Sequence, residues 1–234
     1  MKIADYTAEL LKIYDVFSVL SDRNGKKVLR LRHKTLGKEL VYISFENAVS
    51  VYRLLKDVRS ENIVSVYDYL KLDDGYVVLE EYISGIPVSQ VLETGFYSYS
   101  GAKTVLKKVC SALDVLHSQG FVYRDLKPEN VIVADDGQVK LIDFDSCRIF
   151  DPSKAFDTVA LGTPGYASPE QYGVAQSDPR SDVYSAGVLL NVMLTGVHPS
   201  ERLAKGKAGR IVLKCTQISP EKRYPSVREL SKAL

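Results

Sequence analysis

The hydropathy pattern of this chain turns from mainly strand-like to helical after Ser84-Gly85, and that change restricts the fold more than any other feature. Before it, apolar residues alternate as strands do: Phe17-Ser-Val-Leu, then Val28-Leu-Arg-Leu-Arg after the turn at Asn24-Gly25, then Leu40-Val-Tyr-Ile-Ser-Phe after Gly37. Two further strands are expected at residues 63–70 and 76–81, joined by the Asp73-Asp74-Gly75 turn, with a helix at 48–58 before them. Ile3, Leu10, Leu11 and Tyr14 fall at helical spacing, which predicts a short amphipathic helix packed on this same lobe. Beyond Ser84 the spacing is helical, including residues 103–118 with a stop at Gly120, so a lobe boundary is expected near residue 84.

At 234 residues the chain can bury a sizeable core as one domain or as two lobes, and its 45% apolar and 26% charged residues are those of an ordinary globular protein. Lys and Arg number 31 against 29 Asp and Glu; a net charge of +2 lacks the basic field of a general nucleic-acid binder. Cys110, Cys147 and Cys215 are odd in number and have no metal-ligand spacing, which suits reduced, packed thiols in a cytoplasmic setting. The longest apolar stretch, 183–197, is interrupted by Ser185, Gly187, Asn191 and Thr195 and is too short to span a membrane, so a buried helix is expected there. No apolar core of a secretory leader follows Met1.

Five segments carry chemistry, in order. Tyr123-Arg-Asp-Leu-Lys-Pro-Glu-Asn130 is followed, 18 residues after Asp125, by Asp143-Phe144-Asp145 across a hairpin turning at Asp136-Gly137. Next come Gly162-Thr-Pro-Gly-Tyr-Ala-Ser-Pro-Glu170, Asp182-Val-Tyr-Ser-Ala-Gly187 and Pro220-Glu-Lys-Arg-Tyr-Pro225. Together they resemble the catalytic loop, metal motif, activation-segment end, central helix and late arginine of a protein kinase catalytic domain, over nearly the whole chain. The resemblance implies a single domain over 1–234 with an α+β bilobal fold. A small antiparallel sheet lobe with one helix (1–83) would precede a larger, mainly helical lobe (84–234).

A phosphoryl group in flight carries spread negative charge, so its transfer requires metal ions, a cation and a positioned carboxylate. The resemblance gives these roles to Asp125, which would take or orient the substrate hydroxyl proton, and to Lys127, which would neutralise the moving phosphate. Asn130 and Asp143 would hold magnesium through oxygen. Thr163 with Lys127 is the serine/threonine pattern, so the implied substrates are ATP and Ser or Thr hydroxyls of a protein. Glu170 would pair with Arg223. Val28 and Val41 above, Ile132 below, and the hinge Glu81-Tyr82-Ile83 would receive the base. Arg124 either receives a phosphate carried by Ser153 or Thr158, or makes only local hydrogen bonds.

The chain departs from the family in its first lobe. Counting back from Val28, Ser21, Arg23 and Lys26 stand at the three glycine positions of the phosphate-covering loop. Ile43 falls where the phosphate-anchoring lysine is usual and Val51 where its glutamate partner is usual, a paired replacement that need not destabilise the lobe. Lys26 or Lys27 offers a substitute cation, as a neighbouring-strand lysine does in with-no-lysine kinases. Glu80 occupies the gatekeeper position, Asp145 replaces a glycine, and the segment between His198 and Arg210 is too short for the usual substrate-docking helix. Lys205, Lys207 and Arg210 form either a docking patch or a solvated basic turn. Three functions remain open: a Ser/Thr protein kinase, a pseudokinase that scaffolds a partner protein or binds nucleotide, and transfer of phosphate to a small molecule.

Overall fold

Strand alternation in the first part of the chain produces one antiparallel sheet. In the computed structural model, which describes residues 1–23, 25–151, 153, 163–172 and 176–234, helix α1 (Ile3–Leu10) precedes strands β1 (Tyr14–Arg23), β2 (Lys26–His33) and β3 (Glu39–Phe45). Helix α2 (Val51–Leu55) and strands β4 (Val66–Leu72) and β5 (Gly75–Glu81) follow, and the sheet order is β1-β2-β3-β5-β4. These elements form a unit of Met1–Arg59 with Val64–Ser84; Ser60–Ile63 and Gly85–Leu234 form a second unit.

Each face of the sheet has its own cover. Leu29, Leu31, Leu40, Tyr42 and Val77 are buried on one face, and Ile3, Tyr6, Leu10 and Leu11 of the α1 region pack against them. Burying each such side chain contributes on the order of 1.5–3 kcal/mol, enough to hold a helix too short to persist alone. Two hydrogen bonds fix its position: Ile3 N donates to Asp74 Oδ1 (2.7 Å), and the hydroxyls of Thr7 and Tyr42 meet at 2.7 Å. On the other face Phe45 stacks on Tyr52 of α2 and on Tyr76, and Tyr69 completes the stack. Side chains alternate along β3, so Val41 and Ile43 share the face covered by Tyr52.

Two expected elements are shifted. The helix expected at 48–58 is reduced to Val51–Leu55, where Val51, Tyr52 and Leu55 are buried. Ser50 makes no side-chain cap, and β-branched Val49 and Val58 do not favour extension, so only the part held by packing is helical. The fourth strand starts at Val66 rather than residue 63, because Ile63 bridges to Leu141 and Asn62 exchanges hydrogen bonds with Val139 and Leu141 in the second unit.

The second unit runs through β6 (Gly85–Pro87), α3 (Val88–Thr94), α4 (Tyr99–Ser118), β7 (Phe121–Val122), β8 (Val131–Ala134), β9 (Val139–Leu141) and β10 (Arg148–Ile149). Helices α5 (Pro179–Thr195), α6 (Gly206–Cys215) and α7 (Val227–Ala233) complete it. Ser98 caps α4 by accepting from Gly101 N, and Ala102, Leu106, Val109, Leu113 and Leu116 form its buried stripe. Asp178 caps α5 ahead of Pro179, and residues on all sides of that helix are buried, as expected for 183–197. Gly187 is required there: a Cβ would overlap that of Cys215 on α6. Among the described residues no helix is long and apolar enough to cross a membrane.

All three cysteines are buried, and burial pushes the Cys110 thiol up to about 12 and the Cys147 and Cys215 thiols upward as well. The native protein should therefore leave a thiol reagent unreacted near neutral pH and consume three equivalents once denatured. A native thiol reacting at the denatured rate would contradict this packing.

Candidate active site

The segment from Phe121 to Asn130 is extended at its start, where β7 pairs with β10, and closes in a 3₁₀ turn, Pro128–Asn130, that opens on proline. Between them the backbone is suspended from the side chain of Asp182. Its Oδ2 accepts from Tyr123 N (2.9 Å) and lies 2.7 Å from His117 Nε2, while its Oδ1 accepts from Arg124 N (2.8 Å). Gln171 Nε2 donates to Arg124 O at 2.8 Å. These bonds hold Arg124 at φ 73°, a left-handed conformation that costs a non-glycine residue on the order of 1–3 kcal/mol and persists only where its surroundings fix it.

The loop so held presents one carboxylate with a partner on each oxygen. Thr163 Oγ1 donates to Asp125 Oδ1 at 2.6 Å, and Lys127 Nζ donates to Asp125 Oδ2 at 2.8 Å and to Thr163 Oγ1 at 2.9 Å. Asn130 Nδ2 donates to the Asp125 carbonyl (2.9 Å) and to Oδ2 (3.1 Å). Asp125, Lys127, Asn130 and Thr163 thus form one closed polar cluster, although Thr163 is 38 residues from Asp125. Asp143 follows β9 at φ 60°. Just before it, Ile142 O accepts from the Tyr123 hydroxyl at 2.5 Å, and the Tyr123 ring meets Phe144 edge-on at 5.6 Å. Burial pushes the Tyr123 phenol well above its ordinary value, which keeps it a donor at all physiological pH.

Thr163 is tied down from the far side. Tyr166 N and Ala167 N both donate to Thr163 O at 3.0 Å, and Ser185 Oγ of α5 donates to Tyr166 O at 2.8 Å. Four residues beyond Tyr166, Glu170 receives Arg223 through a bidentate pair of 2.7 and 2.9 Å, with a further bond from Ser181 Oγ. Thr158 and Gly162 lie outside the described residues; Ser153 is exposed and donates its hydroxyl to Asp151.

In the first unit Val28 pairs with Ile43, Arg30 with Val41, and Val41 with the buried Glu80. Glu81 N is engaged by Ser65 O, and the ring of Tyr82 lies 3.9 Å under the Arg30 guanidinium, which also covers Phe17. Ile83 is buried; in the second unit Ile132 pairs with Pro87 and Lys140. Lys27 is opposite Ser44, on the face covered by α1, and pairs loosely with Asp22, whereas Lys26 shares the alternation of Val28 and hence the face of Ile43. Of the two lysines, only Lys26 lies on the sheet face of Ile43.

Four contributors escaped the sequence reading: Asp182 as an anchor, His117, Gln171 and the Tyr123 hydroxyl. Asp182 had a visible signal, an acid in the first turn of a helix otherwise almost free of charge. His117 and Gln171 had none, because their partners are distant in sequence.

The protein kinase domain family model matches residues 15–234. The chain is 40% identical over 151 residues to the serine/threonine-protein kinase PknL of Mycobacterium tuberculosis, covering 63% of this chain and 37% of that protein. It is 30% identical over 199 residues to a probable serine/threonine-protein kinase of Clostridium perfringens, covering 80% of this chain and 29% of the other. A probable myosin light chain kinase of Dictyostelium discoideum is 30% identical over 184 residues, covering 77% of this chain and 52% of that protein. The chain thus spans about half or less of the length of these relatives. With its match to the family model running from Asp15 to the last residue, the chain belongs to the protein kinase domain family.

Proposed function

We propose that this domain transfers the γ-phosphate of ATP to Ser or Thr hydroxyls of a protein. The observation that carries the reading is the closed cluster in which Lys127 and Thr163 grip the two oxygens of Asp125. The substrate hydroxyl oxygen attacks the γ-phosphorus as the bond to the ADP oxygen breaks, and the hydroxyl proton passes to Asp125. Lys127 neutralises charge on the transferring group, and Thr163 fixes the carboxylate plane. Asn130 turns its amide nitrogen toward Asp125, which leaves its oxygen, with the Asp143 carboxylate, as a hard donor pair suited to magnesium. When bound, the metal supplies neutralisation of phosphate charge.

Val28, Val41, Glu81, Ile83 and Ile132 are the proposed nucleotide contacts, by resemblance to the family. Lys26 is the proposed phosphate cation in place of the lysine absent at Ile43. The alternative, a pseudokinase scaffold, has its own support, since Ile43 and Val51 are 3% and 0% exposed and form apolar core where the family keeps an ion pair. The deciding experiment incubates the protein with labelled ATP and magnesium, with and without chelator, and follows phosphate on the chain and on a generic Ser/Thr acceptor. Magnesium-dependent label on Ser or Thr is expected; its absence at all enzyme concentrations, with ATP bound, would establish the scaffold.

The same pair of residues gives a stability prediction. Ile43→Lys places an ammonium in packed apolar surroundings and should cost about 2–3 kcal/mol, less than a permanently charged group would because a buried lysine can shed its proton. Adding Val51→Glu should return at least half of that loss in a denaturant titration. A harmless single substitution would mean that Ile43 does not occupy the anchor position.

A further inference from the structure

The chain runs from the end of α5 to the start of α6 through residues 196–205 alone, and the described surface opens there into a groove of about 640 Å3. Its lining is largely apolar: Phe96, Tyr99, Leu194, Leu203, Ala204 and Ala208. Phe96 is 61% exposed, an aromatic ring left in water at the mouth of a concave surface. The rim is cationic, formed by Arg202, Lys205 and Lys207. Arg202 is fixed by donating to Thr195 O, and Lys207 Nζ reaches Leu234 O at 3.3 Å. Among the described residues no Asp or Glu side chain pairs with any of these three side chains.

The charge is local. Residues 200–215 hold five cations, Arg202, Lys205, Lys207, Arg210 and Lys214, against the single carboxylate of Glu201, although the whole chain carries only +2. On neighbouring elements, Glu93 of α3 is exposed and Glu229 of α7 is already paired with Lys232. An apolar slot bordered by uncompensated cations complements a ligand that joins an apolar ring or branched chain to carboxylates.

We propose that this groove docks an acidic peptide segment of a partner protein, placing one aromatic or large aliphatic side chain beside Phe96 and its carboxylates on Arg202, Lys205 and Lys207. A recessed lining favours a peptide over a lipid surface, which would call for projecting apolar side chains rather than a slot. The docking is a binding event within the second unit and does not depend on phosphoryl transfer, so its test omits nucleotide.

The probe is a fluorescein-labelled hexapeptide, Glu-Asp-Leu-Phe-Asp-Glu, followed by anisotropy. Saturable binding is expected, weakened about tenfold or more by Lys205→Glu with Lys207→Glu, and similarly by Phe96→Ser. All three positions are exposed, so the variants should keep the wild-type melting temperature, which is checked first. A peptide with Ser and Gly in place of Leu and Phe should bind at least about tenfold more weakly, and one with Lys in place of the acids should not bind. No saturable binding would overturn the proposal, as would binding that survives loss of the apolar pair or of Phe96, since that is charge attraction alone. Phosphatidylserine vesicles run in parallel; if they bind through the same three residues and the hexapeptide does not, the surface serves a membrane instead.

Discussion

Asp125→Asn should lower turnover about 10²- to 10⁴-fold while leaving the Km for ATP within a few-fold of wild type, because it removes a proton acceptor and little binding surface. The geometry makes this substitution worse than an isosteric swap suggests. Both oxygens of Asp125 accept, Oδ1 from Thr163 and Oδ2 from Lys127 and Asn130. An amide has one accepting end, so its NH2 must face either the Thr163 hydroxyl or the Lys127 ammonium together with the Asn130 amide. The Thr163 hydroxyl can turn to accept, but its own proton would then no longer hold the side chain of residue 125. Thr163→Val should give a smaller loss, because Lys127 still holds Oδ2. Steady-state kinetics on a Ser/Thr acceptor measure both. An Asp125→Asn protein with wild-type turnover would remove Asp125 from the chemistry.

Truncating Glu170 or Arg223 to Ala should each destabilise the second unit by about 3–5 kcal/mol, since either change leaves the partner charged and buried. The side chains are 5% and 0% exposed. Arg223 should be the costlier loss: besides Glu170 it donates to the carbonyls of Gln217, Arg180 and Ile218, and all three of those bonds would go with it. The double variant should recover part of the sum, and additive losses below 1 kcal/mol would show that the pair is solvated. Where the truncations leave too little folded protein, Glu170→Gln and Arg223→Lys give graded versions of the same measurement.

The pair also sets a pH dependence. Burial alone would raise the Glu170 carboxyl, but the hydrogen bonds and charge of Arg223, with the bond from Ser181, outweigh it and hold the carboxyl below its ordinary 4.5. A depressed folded value means that the unfolded chain binds the proton more readily. The stabilisation is present above pH 4.5 and disappears as pH falls from there through the folded value. The melting-temperature gap between wild type and Glu170→Gln should accordingly narrow on acidification below about pH 4.

The sequence made the sheet legible wherever one face of a strand was apolar, as in Val28-Leu-Arg-Leu-Arg and Leu40-Val-Tyr-Ile-Ser-Phe, because alternation is a local property. It misplaced the start of β4 because Ile63 looks like a strand residue, yet its partner, Leu141, is 78 positions away, and both belong to the second unit. It overextended α2 because apolar spacing alone cannot tell a helix that continues from one held only by Tyr52 and its aromatic stack. At the candidate site the same divide applies. Asp125, Lys127 and Asn130 are close in sequence and could be read from one loop. The anchoring of that loop by Asp182, His117 and Gln171 comes from helices brought together only by folding.

Asp182 belongs at once to the packed interior and to the support of the loop proposed to react: it is fully buried in α5 and carries the backbone of Tyr123 and Arg124. Many enzymes keep their sites on loops that can loosen while the scaffold stays intact, so that activity and robustness can be exchanged for one another. Here that exchange is closed. A change in α5 that relaxes the interior should also release the strained backbone at Arg124, so that folding and the proposed turnover decline together. Over evolutionary time the large unit could accumulate substitutions on its surface and in its peripheral loops, but a lineage that abandoned catalysis would also lose a constraint on its own core.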